Sequence, residues 1–206
     1  MGALRTHLSR ATADIHQALH GAAPFAQIAQ GEITHAGYGA LLRLLHRYHL
    51  GMAGACAAGA QALDARELEN GHRARIARLC DDLVFLDVAP TEDAREPVQG
   101  SAFSIGCLYT VLGSTLGGKV ISRQLESLLP DARGRSFFAG ATDDAAHWRL
   151  FRERLEACGQ EPAPLEAGAR HAFARFALLL ESWDFRPEPC APDGAGGLWI
   201  SSPQTG

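Results

Sequence analysis

The chain has 206 residues, 47% of them hydrophobic, and a formal net charge of −4. This length suits one domain with a sizeable core, and the small acidic balance gives no electrostatic reason to expect a nucleic-acid or membrane partner. The first residues form no apolar signal core, no stretch is long enough to span a membrane, and the five cysteines include no C-x-x-C pair. We therefore expect a cytoplasmic protein without a disulfide framework or a zinc ribbon.

Apolar residues recur at helical spacing along most of the chain, and strand-like alternation is nearly absent. The predicted helices cover about residues 3–20, 34–68, 76–86, 98–128, 143–155 and 164–185. Thr34 is a favoured N-cap residue for the second helix, and Asp143 or Asp144 for the fifth. The sequence thus predicts an all-α protein with a single compact multi-helix domain over residues 1–186. Residues 187–206 are rich in proline and glycine and are expected to form a disordered tail.

Residues 113–120 read GSTLGGKV and match the phosphate-loop pattern G-x-x-x-x-G-K-[ST] at every fixed position except the last. That last position is Val120, which has no hydroxyl to bind magnesium. The apolar residues through this segment are spaced four apart, as on one face of a helix: Leu108, Leu112, Leu116 and Val120. The segment is therefore predicted to be helical and not a nucleotide-binding loop.

A second stripe on this helix consists of small residues, namely Gly106, Thr110, Gly113, Ser114, Gly117 and Gly118. A glycine inside a helix costs about 1 kcal/mol relative to alanine, so a compensating interaction is expected. Two interpretations are open. The stripe allows another helix to approach closely, or it leaves bare backbone for a flat, rigid ligand, with a kink at Gly117 and Gly118.

A flat ligand needs an anchor, and the first helix offers His16 at the rim of its apolar stripe. A neutral imidazole at this position could ligate a haem iron and leave the opposite haem face to a helix without side chains. A lone histidine at such a rim is also compatible with packing alone.

The segments LSRATADIH and LYTVLGSTLGGKVI together resemble the haem oxygenase family, in particular bacterial members that include those making bilin for phytochromes. The resemblance extends over about residues 4–185. It implies a haem oxygenase-like fold in which haem is sandwiched between a proximal helix and a glycine-rich, kinked distal helix. His16 falls on the position of the iron ligand. Gly113, Gly117 and Gly118 fall on the positions of the distal glycines.

Further along, WRLFRERLEA resembles the family helix whose basic residue meets a haem propionate. This resemblance assigns that contact to Arg152, with Arg149 as a second candidate. Either side chain could instead be an ordinary solvated charge on the surface.

The resemblance also implies the activity: haem is both cofactor and substrate, and is opened to biliverdin with release of CO and iron. The backbone at Gly113 and Gly117 would direct the attack of oxygen to one meso carbon, and Ser114 or Thr110 would hold ordered water nearby. The reaction needs O2 and electrons from an external reductase, because the sequence has no flavin or nicotinamide fingerprint. A phytochrome that accepts the bilin is a further expected partner.

Alternative functions remain open because two positions depart from the family pattern: His20 and Leu112 stand where some members carry glutamate. These departures motivate a haem carrier or sensor that keeps its haem. A second alternative is a non-haem metal site built from two histidine pairs at helical spacing, His16 with His20 and His46 with His49. A third keeps the helical architecture without haem, as in the thiaminase-II and pyrroloquinoline-quinone-synthesis groups.

Overall fold

The computed structural model describes residues 2–92 and 95–185. Over these ranges the chain forms helices and no strands, which confirms the all-α prediction. The helices are α1 (Ala3–Ala11), α2 (Ala13–His20), α3 (Ala23–Gln30), α4 (His35–Ala62), α5 (Arg66–Phe85), α6 (Ser101–Gly113), α7 (Thr115–Gln124), α8 (Ser136–Ala139), α9 (Asp144–Ala157) and α10 (Pro162–Glu181). None of these helices is long and apolar enough to span a membrane. The predicted tail over residues 187–206 lies outside the described residues.

Several predicted helix boundaries were wrong. The second predicted helix ends earlier, at Ala62, because the chain turns through Asp64, whose backbone is left-handed with φ of 50°. An aspartate tolerates this conformation better than most residues do, and α5 then begins at Arg66. The short helices α3 and α8 were not predicted. At the start of α4, the Thr34 hydroxyl accepts a hydrogen bond from the Gly37 amide, which confirms the predicted N-cap.

Hydroxyl side chains explain two breaks within predicted helices. Thr12, between α1 and α2, donates its hydroxyl to a carbonyl one turn earlier at 2.8 Å. At the junction of α6 and α7, Ser114 and Thr115 do the same at 2.8 and 2.7 Å. Such bonds compete with the backbone ladder and bend helices. The distal helix is therefore interrupted at Ser114, and the predicted kink at Gly117 and Gly118 was wrong, because both glycines lie inside α7.

Close packing of α6 against α10 accounts for part of the small-residue stripe. A Cβ atom added at Gly106 would overlap the Leu165 carbonyl of α10, so only glycine allows this crossing. The hydroxyl of Thr110 donates to the Ala169 carbonyl of α10 at 3.1 Å and is buried. The hydroxyl proton of Thr110 is therefore used in helix packing, and its expected contact with distal water stays a prediction. At these positions the packing interpretation of the stripe is confirmed.

The proximal and distal segments share two supports. α10 packs along α6 and also contacts α2, while α3 contacts both α2 and α7. α8 packs on α7 and is bonded to α5. The carboxylate of Asp82 in α5 accepts hydrogen bonds from the amides of Ser136 and Phe137 in α8, at 3.0 and 2.8 Å. This scaffold holds the two predicted ligand-binding segments against the same part of the helical core.

Candidate functional site

His16 lies in the middle of α2 with an exposed side chain. Its ring makes edge-on contacts with His20 and with Phe173 of α10, at centroid distances of 4.6 and 5.9 Å. Partial desolvation, and secondly the charge of His20, lower the pKa of His16. The imidazole is therefore neutral at neutral pH, which is the form that ligates a metal. Both the exposure and the charge state fit an iron ligand.

α7 presents an exposed apolar face with no side chain at its centre. Leu116 and Val120 are 59% and 54% exposed, whereas Leu108 and Leu112 of α6 are buried. Between them, a Cβ atom added at Gly117 would meet no other atom within 4 Å. Positions three and four apart lie on the same side of a helix. A flat, apolar macrocycle fits such a face, because its ring could lie directly on backbone.

The other predicted distal residues lie around the same junction. A Cβ atom at Gly113 would be 3.7 Å from the Trp148 ring of α9, an ordinary contact, whereas one at Gly118 would be 2.5 Å from the Phe138 carbonyl oxygen. Close packing against α8 therefore explains why position 118 is a glycine, and the contact of Gly118 with a ligand stays a prediction. Ser114 is exposed, and its hydroxyl is already directed at a backbone carbonyl of α6.

The two predicted propionate contacts lie on α9. This helix packs against α6, and Trp148 brings it next to Gly113. Arg149 and Arg152 are both exposed on α9, so they are free to reach a ligand held beside the distal helix. Their contact with a propionate stays a prediction.

A surface cavity of about 610 Å³ runs beside α1 and α10. Its lining consists of Ala3, Thr6, His7, Arg10, Ala11 and Glu166. It includes neither His16 nor the distal glycines, and two of its lining side chains, His7 and Glu166, already contact each other at 2.9 Å. The candidate site is therefore defined by α2 and α7 and not by this cavity.

A buried polar network beneath the distal helix was missed by sequence reasoning. His49 of α4 and His72 of α5 are buried, with Nδ1 and Nε2 3.0 Å apart. The neighbouring Arg75 is also buried; it donates from Nη1 to the Val111 carbonyl at 3.3 Å and lies 4.4 Å from the ring centroid of Phe137. Its Nε has no hydrogen-bond partner among the described residues.

The carbonyl of Val111 links this network to the interrupted distal helix, because it also accepts the hydroxyl of Ser114 at 2.8 Å. Burial, and then the charge of Arg75, lower the pKa of His72 to about 3 and hold that of His49 well below its usual range. Burial also lowers the pKa of Arg75 to about 10, so it remains a cation at neutral pH. The i,i+3 spacing of His72 and Arg75 was a sequence signal for this network, since it places both on one face of α5.

The four histidines of the non-haem metal hypothesis are not brought together. His46 has its Nε2 3.2 Å from Cys80 Sγ, and its Nδ1 accepts from the Thr91 amide at 3.2 Å. His49 pairs with His72. Within residues 2–92 and 95–185, the only group of three possible ligands close enough to share an ion is Asp143, Asp144 and His147. The four-histidine site was therefore wrong.

A protein named haem oxygenase from Xanthomonas campestris is 35% identical over 113 residues, which cover 53% of this chain and 68% of that protein. The structures of the NO- and CO-bound haem oxygenase from Neisseria meningitidis match with a TM-score of 0.68 and 25% identity over 93% of this chain and 98% of that one.

Haem oxygenase-1 from the cyanobacterium Synechocystis, solved in complex with haem, matches with a TM-score of 0.65 over 86% of this chain and 90% of that one. At 17% identity this second structure supports the fold alone. No protein-family model matches the chain.

Proposed function

The chain belongs to the haem oxygenase family and is an enzyme that binds and degrades haem, and we propose that it does so between α2 and the distal helix formed by α6 and α7. When bound, haem supplies both the iron that activates O2 and the macrocycle that is opened to biliverdin with release of CO and iron. The protein supplies a ligand for the iron, a wall on the distal side of the macrocycle and anchors for the propionates.

His16 is the proposed proximal ligand of the iron. Its lowered pKa supports this role, because a neutral ring offers its lone pair without first losing a proton. His20, whose ring is 4.6 Å away, stands where a hydrogen-bonding partner of the ligand would be useful. We assign His20 to orienting the His16 ring through this edge-on contact.

The face of α7 is the proposed distal wall, and the open backbone at Gly117 is the single observation that carries the proposal. Leu116 and Val120 on either side exclude water from the macrocycle, and the missing side chains at Gly113 and Gly117 let it approach the helix. A close wall on one side restricts which meso carbon can be attacked. We therefore assign regiospecificity to Gly113 and Gly117, and a contact with the macrocycle's edge to Gly118.

Ser114 and Arg75 are proposed to hold the shape of that wall. Both donate to the Val111 carbonyl at the end of α6, where the helix is interrupted. Ser114 is also exposed, so its hydroxyl oxygen is available to accept a hydrogen bond from ordered water beside the ligand. Arg75 acts through Val111 and is a positioning residue, whereas Ser114 faces the reacting side.

Arg152, with Arg149 as a second contact, is the proposed anchor for the propionates. An arginine fork pairs with a carboxylate through two parallel hydrogen bonds, so it fixes the rotation of the macrocycle as well as its position. That rotation decides which meso carbon meets the wall at Gly113.

We propose that O2 and electrons from an external reductase complete the reaction, and that a phytochrome accepts the bilin. The cytoplasm is the proposed compartment, because reduced electron carriers are found there. The sequence resemblance to bilin-supplying bacterial members supports the phytochrome; a role in releasing iron uses the same chemistry.

The test is a titration of the purified chain with hemin, followed by ascorbate in air and optical spectra. The proposal predicts a one-to-one Soret band that gives way to biliverdin absorbance while CO is trapped by added ferrous myoglobin. A Soret band that forms and persists, with ascorbate and with a reductase, would identify a haem carrier. A Soret band that stays that of free hemin when the protein is added would refute haem binding between α2 and α7.

A further inference from the structure

We propose that a second pocket, between α4, α10 and residues 95–96, binds a small oxyanion with carboxylate or phosphate chemistry. The pocket has a volume of about 240 Å³. Its lining consists of Arg47, Tyr48, Arg95, Glu96, Arg175 and Leu179. It shares no residue with the haem site, and the inference does not depend on the proposed function.

Positive charge exceeds negative charge in this pocket even without Arg95, because the other two arginines, Arg47 and Arg175, outnumber its one carboxylate, Glu96. The carboxylate of Glu96 is already engaged on both oxygens. Its Oε1 accepts from Nε of Arg175 at 2.7 Å, and its Oε2 lies 3.3 Å from Nε2 of His171. Glu96 therefore does not neutralise Arg47 across the pocket.

The same contact orients Arg175 for a ligand. A guanidinium has five N–H donors in a fixed plane, and the contact through Nε uses one of them and leaves the four donors of the two terminal nitrogens. Among the described residues, neither these nitrogens nor the side chain of Arg47 has a hydrogen-bond or ion-pair partner. Two arginines from different helices thus line one pocket with unused N–H donors, and such an arrangement can recognise an oxyanion.

The remaining walls set the size and the rigidity of the site. Tyr48 is only 6% exposed and packs on Phe176 at a ring centroid distance of 5.1 Å, so the floor of the pocket belongs to the core. Leu179 adds an apolar wall. Pockets for drug-sized ligands have volumes of about 300–1,000 Å³, so this pocket suits an ion of the size of phosphate or a short dicarboxylate.

The experiment is calorimetric titration of the full chain with inorganic phosphate and, separately, with succinate, at constant ionic strength. We expect one site for at least one of the two probes, and the stronger probe identifies the source as phosphate or carboxylate. Arg47→Gln should weaken binding at least tenfold. Arg43→Gln is the matched control, because this exposed arginine lies one turn earlier on α4 and does not line the pocket; it should bind as the wild type does.

Arg175→Gln should weaken binding to a similar extent, and its thermal unfolding checks that loss of the Glu96 contact has not unfolded the chain. Equal affinity in the wild type and in Arg47→Gln would overturn the proposal. The proposal would also be overturned if neither probe produced heat of binding, or if chloride produced the same heat of binding as the probes. The hemin titration of Arg47→Gln should match the wild type, so failure of this site and failure of the haem site are distinguishable.

Discussion

The adjacent glycines of α7 should respond in opposite ways to replacement by alanine. A methyl group added at Gly117 meets no atom within 4 Å, whereas one added at Gly118 lies 2.5 Å from the carbonyl oxygen of Phe138 and 3.4 Å from its carbon. These atoms belong to backbone, which cannot rotate away as a flexible side chain can. Gly118→Ala therefore forces α7 and α8 apart, and Gly117→Ala does not.

The magnitudes follow from two opposing terms. Alanine inside a helix gains about 1 kcal/mol over glycine, and nothing offsets that gain at Gly117. At Gly118 the same gain is set against an overpacking cost of about 1–3 kcal/mol. We expect the free energy of unfolding of the haem-free protein to rise by about 1 kcal/mol in Gly117→Ala and to fall by up to about 2 kcal/mol in Gly118→Ala.

Urea unfolding monitored by circular dichroism measures both changes, and single-turnover haem degradation measures the functional consequence. Gly117→Ala places a methyl group on the proposed distal wall, so its biliverdin yield or rate should fall at least tenfold despite its greater stability. Full activity in Gly117→Ala would refute the proposal that bare backbone faces the macrocycle. A Gly118→Ala variant more stable than the wild type would refute the packing argument.

Three further predictions concern the network and the anchors. His72 is buried and neutral, with a pKa of about 3, whereas a histidine in the unfolded chain binds a proton below about pH 6.5. The free energy of unfolding should therefore decrease as the pH falls below about 6.5, by about 1.4 kcal/mol per pH unit for this group. His72→Gln should show a shallower loss in urea unfolding between pH 7.5 and 5.5, and equal slopes would contradict the burial argument. Arg75→Met should unfold at the same or a higher urea concentration, because it removes a buried cation whose Nε has no partner within the described part of the chain. It should also change the ratio of biliverdin isomers on chromatography, and an unchanged ratio would rule out the positioning role. Arg152→Gln should weaken hemin binding several-fold in optical titration and Arg149→Gln should weaken it less; unaltered binding in both would remove α9 from the site.

Local spacing predicted the helical class and the helices of the proposed ligand site, because these depend on residues three or four apart. His16, Gly113 and Gly117 could be singled out in this way. The place of the bend does not follow from the glycines, because hydroxyl bonds at Ser114 and Thr115 interrupt the backbone ladder instead. A side chain that hydrogen-bonds to the nearby backbone can interrupt a helix as effectively as a glycine can.

Contacts between distant segments were beyond prediction from the sequence. Gly118 has the same local environment as Gly117 in the sequence, yet only Gly118 meets α8, which was itself not predicted. The pairing of His49 with His72 likewise joins residues of two helices, and spacing along α4 led instead to a metal site with His46. Periodicity specifies which face of a helix is apolar, but it does not specify what that face meets.

The most direct test of the account is chemical rescue of His16→Ala by imidazole. His16→Ala should form no normal Soret band with hemin and no biliverdin, and added imidazole should restore both, because the ligand would then be supplied from solution. His20→Ala should keep the Soret band without imidazole. If His16→Ala binds and degrades hemin as the wild type does, the proximal ligand is another residue, and the assignment of α2 as the proximal helix is contradicted.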